Sequence, residues 1–77
     1  MELFQRKTDM QPYQQRVVTE KAEIDTKITN LTNFAKSAAF DATVPEAEQR
    51  RMLRQLVVMQ DYSRILGERI DAFGGAA

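Results

Sequence analysis

From Met52 to Phe73 the apolar residues fall at alternating steps of four and three: Met52, Leu56, Met59, then Leu66, Ile70 and Phe73, with Ser63 at the one polar step. That alternation tracks one face of an α-helix, because ~3.6 residues complete a turn, and it continues for about six turns. A strand would need alternation in twos. The run therefore fixes a long helix, and the rest of the chain reads as its partner.

The partner lies upstream. Val17, Ile24, Leu31 and Ala38 recur at sevens, Ile28 and Ala35 fill the interleaved positions, and Lys21 is the polar member of this seam. The pattern predicts a helix from Tyr13 to Ala39, widened near its end by Phe34 and Ala39. Glu23 and Lys27 form a favourable i,i+4 pair on its flank. Between Phe40 and Glu46 the period breaks. Thr43-Val44-Pro45-Glu46 fits a capping box, with Thr43 as N-cap and the proline in the first turn. The second helix is thus expected from about Val44 or Pro45 to Phe73, ending at Gly74-Gly75. A connection of about six residues favours antiparallel neighbours.

At the other end, Pro12 disfavours helical geometry at Gln11 and suits a first turn itself. Residues 1–11, with Leu3 and Phe4, read as a short N-terminal arm or helix followed by a kink. Residues 12–77 form one helical hairpin domain. The fold class is all-α.

Composition limits how such a hairpin can be stable and what it can do. At 77 residues the chain buries only ~60% of its unfolded surface. It has no cysteine for a disulfide or thiolate metal site and no histidine to ligate a metal or act as a base near neutral pH. Association of copies is the remaining staple. The second helix also carries Leu53, Val57, Val58, Tyr62 and Ile65 outside its seam, more apolar surface than one partner helix covers. A helical homo-oligomer is expected.

Eleven basic residues balance eleven acidic ones, so no basic domain stands out for a polyanion. The longest apolar run, Leu56 to Met59, is too short to cross a bilayer, which gives the expectation of a soluble intracellular protein. No nucleophile–base arrangement, P-loop or dinucleotide fingerprint occurs. The expectation is a binding protein and not an enzyme, with no cofactor and no metal. Arg50, Arg51 and Arg54 are the one basic cluster; a solvated face accounts for them better than duplex DNA does.

Four positions bear on recognition. Tyr13, at the kink, either anchors packing or stacks on a base. Lys27 and Thr29 flank the core residue Ile28 and suit phosphate oxygens if a second subunit supplies the opposite wall, or else form a solvated face. Gly67 costs ~1 kcal/mol relative to alanine in a helix, and permits close approach of another helix or of a ligand.

Two segments carry a resemblance. Tyr13 to Phe34, with Gln-Arg-Val-Val-Thr-Glu-Lys-Ala-Glu-Ile before Lys27-Ile28, and Met59 to Phe73, Met-Gln-Asp-Tyr-Ser-Arg-Ile-Leu-Gly-Glu-Arg-Ile-Asp-Ala-Phe, together resemble the helical-hairpin domain of phage anti-CBASS cyclic-nucleotide sponges. Thoeris anti-defence sponges share the domain but are longer. The resemblance covers about half the chain and implies a homohexamer in the cytoplasm of an infected bacterial host. Such an assembly sequesters cyclic dinucleotides such as 3′,3′-cGAMP, and cyclic trinucleotides, without cleaving them. It further implies Tyr13 as a base-stacking ring, Lys27 and Thr29 as phosphate contacts, and Arg69 at a second site for trinucleotides. The partners it implies are these ligands and further copies of the chain, with no duplex nucleic acid and no membrane. A structural or adaptor helical oligomer without a small-molecule ligand is the alternative.

Overall fold

In a computed structural model the described residues, 10–75, form three helices and no strands: α1 (Pro12–Ala35), α2 (Ala38–Thr43) and α3 (Glu46–Gly75). The arm with Leu3 and Phe4 lies outside the described residues. Gln11 is extended (φ −69°, ψ 154°), as a residue before proline must be. Its carbonyl accepts from the amides of Gln14 and Gln15, and its own amide donates to Oε1 of Gln14 at 2.8 Å. These bonds start α1 at Pro12.

The first helix ends four residues before the expected Ala39. The Ser37 hydroxyl donates to the carbonyl of Phe34 at 2.7 Å, and the Ser37 amide donates to the same oxygen at 2.9 Å. A serine that offers the backbone this alternative ends a helix that hydrophobic spacing alone would carry on. The chain turns there and the short α2 folds Phe40 back against Phe34, with ring centroids 5.8 Å apart and edge-on. Phe40 is buried as a result.

Thr43 is not the N-cap of the last helix. It belongs to α2, and its hydroxyl donates back to the carbonyl of Ala39 at 2.6 Å. Helix α3 starts at Glu46, with the Pro45 carbonyl accepting the first helical bond from the Gln49 amide. The Gln49 side chain takes over the polar work at this corner, donating to the carbonyls of Val44 (2.9 Å) and Phe40 (3.2 Å). Helix α3 runs two residues past its expected last residue, Phe73, through both glycines to Gly75.

Helices α1 and α3 are antiparallel. Tyr13 meets Phe73 edge-on at 6.0 Å, and Lys21 reaches Ser63, so residue numbers in contact sum to about the same value along the hairpin. The result is a rod of 53 × 21 × 16 Å with a radius of gyration of 17.0 Å. A compact chain of this length would measure ~11 Å. Two helices give one seam and no second layer: among the described residues the buried apolar side chains are Val17, Phe40 and Leu66.

The surplus apolar surface faces outward. Leu53, Val57, Val58, Tyr62 and Ile65 are all exposed, with Val57 and Val58 at 62% and 65%. At ~100° per residue they centre about 150° around α3 from the seam. Helix α3 is therefore apolar well beyond the strip that α1 covers.

Candidate functional site

Two places in the hairpin carry polar groups in an organised setting. The first is inside the seam. The Lys21 ammonium donates to Oδ2 of Asp25 and to the Ser63 hydroxyl, both at 2.9 Å, and the Ser63 hydroxyl donates to Oδ1 of Asp25 at 2.5 Å. Lys21 and Asp25 are one turn apart on α1, so the closed triangle ties α1 to α3 through Ser63. Ser63 is the buried polar residue of the described chain, at 8% exposure, and its oxygen is fully engaged.

Gly67, one turn beyond Ser63, leaves a trough for the lysine stem. A Cβ added there would meet Cε of Lys21 at 3.4 Å, an ordinary van der Waals contact with a flexible chain, and the glycine has no positive φ. Nothing within the hairpin forbids alanine. Gly67→Ala is accordingly expected to raise stability by about 0.5–1 kcal/mol through helix propensity, a rise of roughly 2–8 °C in Tm in a thermal melt. A fall in Tm would show that the trough tolerates no methyl group.

The Ser63 hydroxyl, and then the Lys21 ammonium, hold the Asp25 carboxyl below its ordinary range. A depressed carboxyl pKa means that the folded state favours the ionised form, so the stabilisation is present above the unfolded pKa of ~3.9 and is lost as pH falls through the lower folded value. Below about pH 4 the hairpin is expected to weaken. Asp25→Asn should flatten that part of the stability–pH curve measured by urea denaturation.

The second place is the outward face of α1. Val18, Ala22, Thr26, Lys27 and Asn30 line a shallow hollow of about 660 Å³ together with Thr19 and Glu23. Val18 and Ala22 give it apolar surface, and its polar groups are the Lys27 ammonium, the Glu23 carboxylate, the Thr19 and Thr26 hydroxyls and the Asn30 amide. The Thr26 hydroxyl donates to the Ala22 carbonyl at 3.1 Å. Among the described residues Glu23 and Lys27 do not form the expected ion pair; the pairs present are Lys21–Asp25, Arg51–Glu48 and Arg64–Asp61. Among the described residues Lys27 makes no ion pair.

The residues expected at a binding site are spread out. Lys27 and Thr29 are both exposed but sit about 160° apart around α1, so one ligand cannot bridge them on a single chain. Thr26 and Asn30 share the face of Lys27 instead. Tyr13, half exposed, lies fourteen residues from Lys27, about 21 Å along the helix, and spends one edge on Phe73. Arg69 is exposed near the same end of the hairpin as Tyr13. Spacing on the helix could have grouped Thr26 and Asn30 with Lys27; Asp25 needed the register of α3 to be recognised.

No helix is long and apolar enough to cross a membrane among the described residues. Comparison with known proteins places the chain. It is 39% identical over 64 residues to the "uncharacterized 7.5 kDa protein in denB-rIIB intergenic region" of Enterobacteria phage T4, a match spanning 83% of this chain and 98% of that protein. No solved structure matches it significantly. The model of one protein family matches residues 11–72, all of α1 and α2 and nearly all of α3. The chain belongs to the Sequestin family.

Proposed function

We infer that the protein is a phage sequestering protein that holds cyclic oligonucleotide messengers intact between copies of itself, withdrawing them from CBASS signalling in the host cytoplasm. Membership of the Sequestin family over residues 11–72 is the observation that carries this reading. The phage T4 relative supports the setting. The hairpin's form supports the mechanism: a hollow lined by Val18 and Ala22, with the Lys27 ammonium and neutral hydrogen-bonding groups beside the Glu23 carboxylate, is half of a pocket for a nucleotide, and a second chain supplies the missing wall.

In this mechanism the base lies on apolar or aromatic surface and the phosphates take charge-assisted hydrogen bonds from Lys27. Because Lys27, Thr29, Tyr13 and Arg69 lie apart on one chain, they act together across subunit boundaries: Lys27 from one copy with Thr29 or Tyr13 from others, and Arg69 at a second junction for trinucleotides. Binding alone withdraws the messenger; no bond in it is broken.

Titration calorimetry with 3′,3′-cGAMP, followed by denaturation and chromatography of the released ligand, tests this. Saturable binding with the nucleotide recovered whole is expected. Lys27→Ala should weaken binding by about 10- to 150-fold with helix content unchanged, since a hydrogen bond to a charged group contributes ~1.5–3 kcal/mol. Recovery of cleaved nucleotide, or no binding of cyclic di- or trinucleotides, would overturn the reading and leave a structural helical oligomer.

A further inference from the structure

Helix α3 carries a continuous apolar seam and a second, looser set of apolar residues centred about 150° away, and apolar burial is non-directional, so a second packing of α3 competes with the one observed. The seam face carries Met52, Leu56, Met59, Leu66, Ile70 and Phe73; the other carries Leu53, Val57, Val58, Tyr62 and Ile65. The short connection through α2 holds the helices side by side, and the Gln49 side chain's bonds to the Val44 and Phe40 carbonyls act on the rotation of α3 only at its first turn. Each seam has one polar member, Lys21 in α1 and Ser63 in α3. These two meet, at 2.9 Å, in the same layer.

We propose that the Lys21–Asp25–Ser63 triangle selects which face of α3 packs against α1, and so determines which face is left for a second chain. With α3 rotated to its other face, Lys21 and Asp25 would lie against Val58, Tyr62 and Ile65 with no cross-helix partner. Lys21 and Asp25 would keep their own bond within α1, but both would lose the Ser63 hydroxyl, and with it two hydrogen bonds to charged groups that the closed triangle supplies. A polar residue at one seam position commonly fixes pairing at some cost in stability. Gly67 completes the arrangement on this face alone: the lysine stem lies in the trough it leaves, and the outer face has no glycine at that height.

Because the chain has no cysteine, introduced pairs report the packing directly. The register set by Tyr13–Phe73 and Lys21–Ser63 puts Met59 opposite Ile28, while Asp61 points from the other side of α3. The experiment compares intrachain disulfide formation in Ile28→Cys/Met59→Cys and in Ile28→Cys/Asp61→Cys, resolved from interchain products on denaturing gels. With the triangle intact, the 28/59 pair should close at least tenfold faster than the 28/61 pair. With Lys21→Met, Asp25→Ala and Ser63→Ala together, the two rates should come within about threefold, with helix content retained. A second variant moves the hydroxyl, Ser63→Ala with Ile65→Ser, which lies about 40° from position 61 and about 120° from position 59 around α3, and should make the 28/61 pair the faster one. If the 28/59 pair keeps its tenfold lead in the folded variants, and in the relocation variant above all, the triangle does not select the face and the proposal is wrong.

Discussion

Leu66→Ala is expected to unfold the isolated hairpin at ordinary temperature. Leu66 is 1% exposed, the most buried side chain described, and it lies in the seam one turn from Ser63. Removing a buried leucine side chain costs 2–5 kcal/mol, from lost transfer free energy and the cavity left behind. A chain of this size has about 5 kcal/mol to lose, and with one seam and three buried apolar residues nothing nearby can collapse to fill the space. Circular dichroism during urea titration should show the midpoint falling to near zero denaturant. Val57→Ala, at a residue 62% exposed, is the control and should leave the monomer's unfolding free energy within ~0.5 kcal/mol. A folded Leu66→Ala hairpin would mean that the seam is not where its stability resides.

The second large effect concerns the outer face of α3. Five large apolar residues exposed on α3 outside the seam form surface that self-association would bury. Val58→Glu places a carboxylate in its centre, at the most exposed of the five positions. An unpaired charge buried at an interface costs about 3–5 kcal/mol, so association through this face should weaken by roughly two to three orders of magnitude. Because Val58 makes no seam contact, the helix content of the chain should persist. Sedimentation velocity would then show the assembled species replaced by smaller ones. An unchanged sedimentation profile would place the contact between copies elsewhere.

These two substitutions probe the two faces of the same helix, and both faces were legible in the order of residues. The four–three spacing from Met52 to Phe73 is strong enough to place α3, and Leu53, Val57, Val58, Tyr62 and Ile65 stand outside it. The corner was less legible. Ala38 continues a spacing of sevens that begins at Val17, and a hydrophobic period carries no information about a hydroxyl at Ser37 that bonds the Phe34 carbonyl. Thr43 matched a capping pattern, but a short helix claimed it first, through its bond to the Ala39 carbonyl.

The polar triangle shows a different limit. Lys21 and Ser63 each stood out as the polar member of a seam, yet that they meet depends on the relative register of two helices forty-two positions apart in sequence. Asp25 lies on the flank of the α1 seam, and nothing in its spacing singles it out; its role depends on α3 bringing Ser63 to it. The same dependence governs the candidate binding residues. Lys27 is placed in a hollow with Thr26 and Asn30 by helix geometry alone, whereas any grouping of Lys27 with Tyr13, Thr29 or Arg69 requires a second chain.

Native mass spectrometry of the purified protein, with and without 3′,3′-cGAMP and a cyclic trinucleotide, bears most directly on the claim that copies of this hairpin enclose a messenger. The account predicts a single homo-oligomer that gains a fixed number of intact ligands, with separate counts for the two nucleotides if the Arg69 junction is a second site. A monomer, or an oligomer whose mass is unchanged by either nucleotide, would contradict it.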